Sequence, residues 1–144
     1  MYKRQDMYSN LSGKKLLMLS GMRTMCDYVD RAKKLGAYVI VADIDSDSPA
    51  KKVADKSVYL DVTDVNKIVE FCKTNEIDGI STGFADILLM PYYEACEILG
   101  FPCYLNPEII KASTDKLFFK KKCLEYGIPV AKDYTCLLYT SRCV

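Results

Sequence analysis

The chain contains no histidine. Ser-His-Asp and Cys-His catalysis are therefore excluded, together with the commonest metal ligand. Any chemistry rests on carboxylates, lysine, arginine, backbone amides or a bound cofactor. No apolar run reaches the roughly 18 residues of a membrane span. The N-terminus lacks the basic-then-apolar pattern of a signal peptide, and there is no internal repeat or low-complexity linker. A net charge of +1 over 144 residues gives no pull toward nucleic acid or an anionic membrane. None of the seven cysteines forms a C-x-x-C pair. Cys26, Cys72, Cys96, Cys103 and Cys123 fall in or beside apolar segments. They read as small buried thiols in a reducing compartment, since a disulfide framework or zinc site needs closer, paired spacings. The expectation is a cytoplasmic protein with small-molecule partners and neither nucleic acid nor membrane; self-association is left open.

What is present suits one domain: half the residues are apolar and 27% are charged. Residues 14–20 (KKLLMLS) form a short apolar run bounded by Gly21, the pattern of a buried strand. Met22, Met25, Val29 and Ala32 follow at helical spacing, and Gly36 stops that helix. Residues 37–44 (AYVIVADI) are a second buried strand and 58–62 (VYLDV) a third. Thr63 is placed to cap a helix whose apolar face is Val65, Ile68, Val69 and Cys72. Residues 77–81 (IDGIS) are a fourth strand, 87–99 a helix with Pro91 in its first turn, and 101–105 (FPCYL) a fifth strand. Short helices at 107–112 and 115–126 come next, then an extended segment at 128–134. Strand and helix alternate five times with short links. This predicts a doubly wound α/β fold, mainly parallel and five-stranded, with helices on both faces and right-handed crossovers. Ligands gather at the carboxyl ends of such strands, here residues 21–24, 43–48 and 82–86.

The two ends read differently from the rest. Met1-Tyr2-Lys3-Arg4-Gln5 back-translates to GTG TAT AAG AGA CAG. The reverse complement of that sequence, shifted by one base, encodes Cys-Leu-Leu-Tyr-Thr, the run at 136–140. Ser141-Arg142-Cys143-Val144 fits the continuation of the same element. Both ends resemble one inverted transposase end sequence of the kind used in sequencing adapters. Residues 1–5 and 136–144 are accordingly expected to be non-native, and the natural protein to be longer.

Several constellations could carry chemistry. Gly21, between strand and helix, lets a backbone approach a phosphate or carboxylate, with helix amides nearby for the anion. A dinucleotide fingerprint needs G-x-G-x-x-G, and residues 22–28 hold no glycine. The nicotinamide or nucleotide-lobe reading is thereby weakened, although Asp43 ends the second strand where a ribose ligand would stand. The alternative for Asp43 is a strand-end acid that caps a turn. Arg23 offers a bidentate fork for carboxylate or phosphate, or is a solvated loop arginine. Thr82 and Gly83 offer a hydroxyl and an open backbone. Asp86 caps the following helix or contacts a ligand. Asp45 and Asp47 are turn acids without EF-hand spacing, and residues 120–122 (KKK) are a solvated helix face.

From Phe101 the order is FPCYLNPEIIKASTDKLFFKKKCLEYGIPV: a strand, a Pro-Glu helix start, an Asp-Lys step, a helix, then Gly-Ile-Pro-Val. With the Gly21 and Thr82-Gly83 loops before it, the chain resembles the N-terminal lobe of an ATP-grasp ligase. The resemblance implies a Rossmann-like domain at 6–112 and the start of an ATP-grasp domain at 113–135. It implies a parent enzyme that uses ATP and Mg2+ to join a small carboxylate to an amine through an acyl phosphate. Lys116 matches the lysine that reaches ATP phosphates. Gly21, Arg23, Thr82, Gly83 and Asp86 match the edge that helps hold the acceptor substrate. The second lysine, the adenine-binding strand and the Mg-binding acids of the family fall beyond residue 134, so the fragment alone is expected to be inactive and to bind no cofactor tightly. Carbamoyl-phosphate-synthase-like, biotin-carboxylase-like and peptide-ligase-like relatives share this lobe. The rival readings are an oxidoreductase lobe that binds NAD or a nucleotide, and a non-enzymatic α/β binding module.

Overall fold

The structure, a computed structural model, describes residues 11–83 and 85–131. The stretches read as non-native, 1–5 and 136–144, lie outside these residues, as does the last part of the extended segment expected at 128–134. The chain divides after Pro107 into two compact units.

The first unit is built on four parallel strands: β1 (Lys15–Leu19), β2 (Tyr38–Asp43), β3 (Lys56–Tyr59) and β4 (Gly79–Thr82). Their order is β3-β2-β1-β4. Leu16 to Leu19 on β1 align with Val39 to Ala42 on β2 and with Gly79 to Thr82 on β4. β1 and β2 are the inner strands, and their unbroken apolar runs are explained by burial on both faces. Alternate side chains separate into two cores. Leu17, Leu19, Ile40 and Ala42 pack with Ile68, Val69, Cys72, Tyr92, Ala95 and Cys96 on one face. Met18, Val39 and Val41 pack with Met25, Val29, Ala32 and Ala50 on the other. The first set brings in α2 (Val65–Asn75) and α3 (Leu89–Leu99), the second α1 (Cys26–Lys34). Helices thus cover both faces, as the alternating pattern predicts.

Three details depart from the sequence expectations. The sheet has four strands rather than five: residues 101–105 form no ladder among the described residues. Pro102 has no N–H to donate, and the segment instead packs Phe101, Cys103 and Leu105 against the α2–α3 core. The third strand lies earlier than 58–62. It pairs Ile40 with Lys56 through Asp43 with Tyr59, and β2 ends at Asp43, so residues 60–62 have no ladder partner. The cap of α2 is Asp64, not Thr63. Asp64 Oδ1 accepts from Asn66 N–H at 3.1 Å and Lys67 N–H at 3.3 Å, whereas Thr63 gives both its N–H and its hydroxyl to Asp61.

The second unit contains α4 (Pro107–Thr114) and α5 (Lys116–Glu125). Lys122 ties the two helices through Glu108 at 2.8 Å and reaches Glu125 at 3.3 Å. Lys111 Nζ lies 4.7 Å from the Phe118 ring centroid, a cation–π contact across the same pair of helices.

Candidate functional site

The carboxyl ends of β1, β2 and β4 meet along one edge of the first unit. Five of the residues singled out in the sequence, Gly21, Arg23, Thr82, Gly83 and Asp86, fall at or just beyond these ends. β1 leaves the sheet through Ser20, a buried non-glycine residue with φ of 94°. Such a left-handed conformation costs on the order of 1–3 kcal/mol and persists only where surrounding contacts impose it. Here Ser20 N–H donates to the Ala42 carbonyl at 2.9 Å.

Gly21 is held from both sides. Its N–H donates to the Asp43 carboxylate, and its carbonyl accepts from Ala50 N–H at 2.9 Å. A Cβ on Gly21 would lie 1.9 Å from Ser48 Oγ and 2.5 Å from Ser48 Cβ. The glycine is therefore required by the close approach of two protein loops. Asp43 is the organiser of the edge. Its second oxygen accepts from Asp45 N–H at 2.9 Å, and its carbonyl accepts from Lys51 Nζ at 2.8 Å. Asp45 repeats the arrangement with Asp47 N–H at 2.9 Å. These acids bend the backbone, which is the turn-capping alternative weighed for them in the sequence.

Ser48 is buried, and its hydroxyl has no hydrogen-bond partner among the described residues. The sequence carried no sign of this, because the orphan arises only where the 43–50 loop crosses Gly21. Arg23 is exposed and makes no ion pair among the described residues, which leaves its guanidinium open to solvent on the edge. Thr82 is turned inward. Its hydroxyl donates to the Leu19 carbonyl at 3.5 Å, and its own carbonyl accepts from the Tyr104 hydroxyl at 3.3 Å. A Cβ on Gly83 would lie 2.2 Å from Met25 Sδ, so this glycine too makes room for protein. Asp86 is exposed and opens a short 3-10 turn whose cap position, Ala85, has no side-chain cap bond. Among the described residues, the capping role weighed for Asp86 is not seen.

Tyr104 was not among the sequence candidates. Its ring lies 5.2 Å from that of Tyr92, tilted by 35°, and it is 59% exposed beside β4. Burial, with the Cys103 thiol next, pushes its phenol pKa up. A signal existed in its setting between Pro102 and Pro107, a segment too interrupted for a strand.

Lys116 belongs to the second unit. Asp115 caps α5 by accepting from Leu117 N–H and Phe118 N–H, each at 3.0 Å. Lys116 is the first helical residue, exposed and without an ion pair among the described residues. The Asp-Lys step is thus a cap followed by a free cation. No group of three or more metal-ligating side chains occurs among the described residues. No helix among them is long and apolar enough to cross a membrane.

Residues 16–90, over half the chain, match the family described as PylC-like, N-terminal domain. No curated protein matches the chain. Among solved structures it is similar to N5-carboxyaminoimidazole ribonucleotide synthetase from Thermotoga maritima: 26% identity, TM-score 0.67, covering 88% of this chain and 36% of that one. The Staphylococcus aureus N5-carboxyaminoimidazole synthetase complexed with ADP gives 20% identity and a TM-score of 0.70 over 90% of this chain and 35% of that one. Phosphoribosylglycinamide synthetase from Anaerococcus prevotii gives 22% identity and a TM-score of 0.66 over 83% and 30%. The chain spans about a third of the length of these structures and corresponds to their N-terminal part. They are ATP-grasp ligases, as the resemblance from Phe101 onward implied. The match takes in strands β1, β2, β3 and β4, and the chain belongs to the PylC-like N-terminal domain family, with the Rossmann-like fold of the lobe that opens an ATP-grasp ligase.

Proposed function

We propose that this chain is the first lobe of an ATP-dependent carboxylate–amine ligase, together with the opening helices of its ATP-grasp domain. The observation that carries the reading is the family match over residues 16–90, which takes in all but the first residue of the four strands and the loops at their carboxyl ends. In this reading Arg23 forks a carboxylate or phosphate of the acceptor at the β1 edge. Gly21 and Gly83 keep the edge low by letting the loops close on Ser48 and Met25. The Tyr104 hydroxyl fixes the β4 end by donating to the Thr82 carbonyl.

ATP supplies the phosphoryl group that activates the carboxylate as an acyl phosphate. The second unit has one residue that fits its phosphates. Lys116 is an exposed cation at a helix N-terminus, where the backbone favours anions. A cation is out of place there unless an anion joins it. Mg2+ has no fit in the described residues, since no suitable side-chain cluster occurs among them. The reading accommodates carbamoyl-phosphate-synthase-like, biotin-carboxylase-like and peptide-ligase-like chemistries alike. A cytoplasmic setting accords with five free cysteines among the described residues.

The test is acyl-phosphate formation in the protein with its natural continuation restored, trapped with hydroxylamine. Lys116→Ala is expected to lower ATP-dependent hydroxamate formation by about 100-fold, the usual scale for loss of one positioned charge. Full activity in that variant overturns the role of Lys116. ATP turnover by the pure 144-residue chain overturns the view that this part is inactive alone.

A further inference from the structure

A hollow lies at the carboxyl ends of β2 and β3, across β1 from β4 in the strand order. It has a volume of about 550 Å3 and is lined by Ile44, Tyr59, Leu60, Asp61, Thr63 and Lys67, a size that suits a small ligand. Its place follows from the register. Asp43 and Tyr59 are the last paired residues of the two strands, and Ile44 and Leu60 follow them beyond the sheet end. Ile44 is 57% exposed and Tyr59 75% exposed. A flat ring seated between such side chains would take their apolar area out of water. The polar groups are fixed. Asp61 Oδ1 accepts from the Thr63 hydroxyl at 2.7 Å and from Thr63 N–H at 3.1 Å, and these bonds hold the carboxyl below its usual 3.8. Asp61 Oδ2 lies 4.0 Å from Lys67 Nζ, too far for a hydrogen bond, so it keeps acceptor capacity. Lys67 Nζ meets Asp64 Oδ2 at 3.1 Å and has further hydrogens to donate. The hollow thus presents an acceptor next to a donor, beside an aromatic ring. A smaller hollow of about 250 Å3 shares Leu60 and Lys67 with it and adds Glu70 and Thr74 from α2.

We propose that these two hollows bind a nucleoside of the aminopurine type, with the base stacked on Tyr59 in the larger and the ribose in the smaller. An aminopurine carries its exocyclic amino donor next to a ring-nitrogen acceptor on one edge. Asp61 Oδ2 accepts from the amino group, and Lys67 Nζ donates to the ring nitrogen. Tyr59 supplies the stacking surface, and Ile44 and Leu60 supply apolar walls. In the smaller hollow the Glu70 carboxylate accepts from the ribose hydroxyls and the Thr74 hydroxyl bonds beside it. Asp61, Asp64 and Glu70 outnumber Lys67, so the local field repels phosphate, and the ligand is the neutral nucleoside instead of its phosphate esters. None of the residues assigned to the acceptor edge or to the ATP phosphates takes part, and the site does not depend on the ligase reading.

The experiment titrates the 144-residue chain, labelled at its isoleucine and leucine methyl groups, with adenosine, with purine riboside (which lacks the amino group) and with adenosine 5′-monophosphate. Methyl NMR shifts report where each binds. The expected result is saturable shifts at Ile44 and Leu60 with adenosine, about tenfold weaker binding of purine riboside for the lost bond to a charged group, and no gain from the phosphate. Tyr59→Ala is expected to weaken adenosine by about tenfold, and Tyr59→Phe to restore it. Asp61→Asn keeps an oxygen for Thr63 and is expected to abolish the preference for adenosine over purine riboside. Unchanged methyl shifts elsewhere in these variants show that the fold is intact. Absence of saturable shifts at Ile44 and Leu60 overturns the proposal. So does equal binding of adenosine and purine riboside in the parent, undiminished binding in Tyr59→Ala, or tighter binding of the monophosphate. The readout is binding alone, so failure of the ligase reading leaves it unmoved.

Discussion

The backbone N–H of Gly21 is bonded to the carboxylate of Asp43, which ties the end of β1 to the end of β2. The same carboxylate holds Asp45 N–H. One side chain thus sets both the loop that leaves β1 and the turn that leaves β2, and the candidate edge takes its shape from that contact. A glycine is needed because Ser48 closes over it.

Gly21→Ala is expected to destabilise the fold by about 2 kcal/mol, the scale for overpacking a close contact. The added Cβ would meet Ser48 Oγ and Cβ. Ser48→Gly removes both atoms, so the double variant should recover part of the loss. Urea denaturation of the four members of the cycle measures the coupling. Strict additivity would show that the loss has another origin.

Ser48→Ala should leave stability unchanged or raise it by about 1 kcal/mol. The hydroxyl is buried and without a partner among the described residues, so it pays for desolvation with no return. A clear loss of stability in thermal melts would mean that the hydroxyl is bonded in solution.

Gly83→Ala should cost less than Gly21→Ala, about 1 kcal/mol. The obstructing atom is Met25 Sδ, in a flexible side chain that can change rotamer. At Gly21 the obstacle is the short Ser48 side chain in a loop held by the Ala50 N–H bond to the Gly21 carbonyl. Equal losses would place the two glycines in the same class.

Acid should weaken the fold in part through Asp78 and Asp55. The Lys14 side chain, then Lys15 N–H, hold the Asp78 carboxyl below its usual 3.8. Burial raises the Asp55 carboxyl, but Val39 N–H and the Lys33 ammonium outweigh it, and its pKa is also lowered. A carboxylate depressed in the folded state contributes stability above its unfolded pKa and loses it as pH falls through the folded value. The urea midpoint should therefore drop between about pH 5 and pH 3, and Asp55→Asn should be weaker at neutral pH with a shallower drop. An unchanged slope in that variant would remove Asp55 from the account.

Asp115 and Lys116 should separate stability from function. Asp115→Ala removes the α5 cap and should cost about 1 kcal/mol, read as loss of helical signal at lower urea. Lys116→Ala should alter stability by less than about 0.5 kcal/mol, since the side chain is exposed and a cation opposes the helix dipole there. A large stability loss in Lys116→Ala would give it a structural role instead of the phosphate contact proposed.

The element types were legible in the sequence where hydrophobic period is strongest. The runs LLML and VIVA predict inner strands, and the spacing of Ile68, Val69 and Cys72 predicts the buried face of α2. Edges were less legible. β3 carries one partly buried residue in four, and its place depends on where β2 stops. Residues 101–105 are as apolar as a strand, yet Pro102 and the core under the segment decide against a ladder. The split of Met22 from Met25 has the same origin: Met25 is buried within the 3-10 turn, while Met22, one step before it, is exposed.

Local chemistry along the chain determined the alternation of strands and helices, the parallel sheet they require and the residues at its carboxyl edge, because periodicity and the reach of short links are sequence properties. Tertiary structure decided what those edge residues do. Gly21 and Gly83 face Ser48 and Met25, Asp43 holds a neighbouring loop, and Thr82 turns toward Leu19. Each is a contact between segments distant in sequence, set by how the loops cross once the sheet has formed, and no local pattern encodes it.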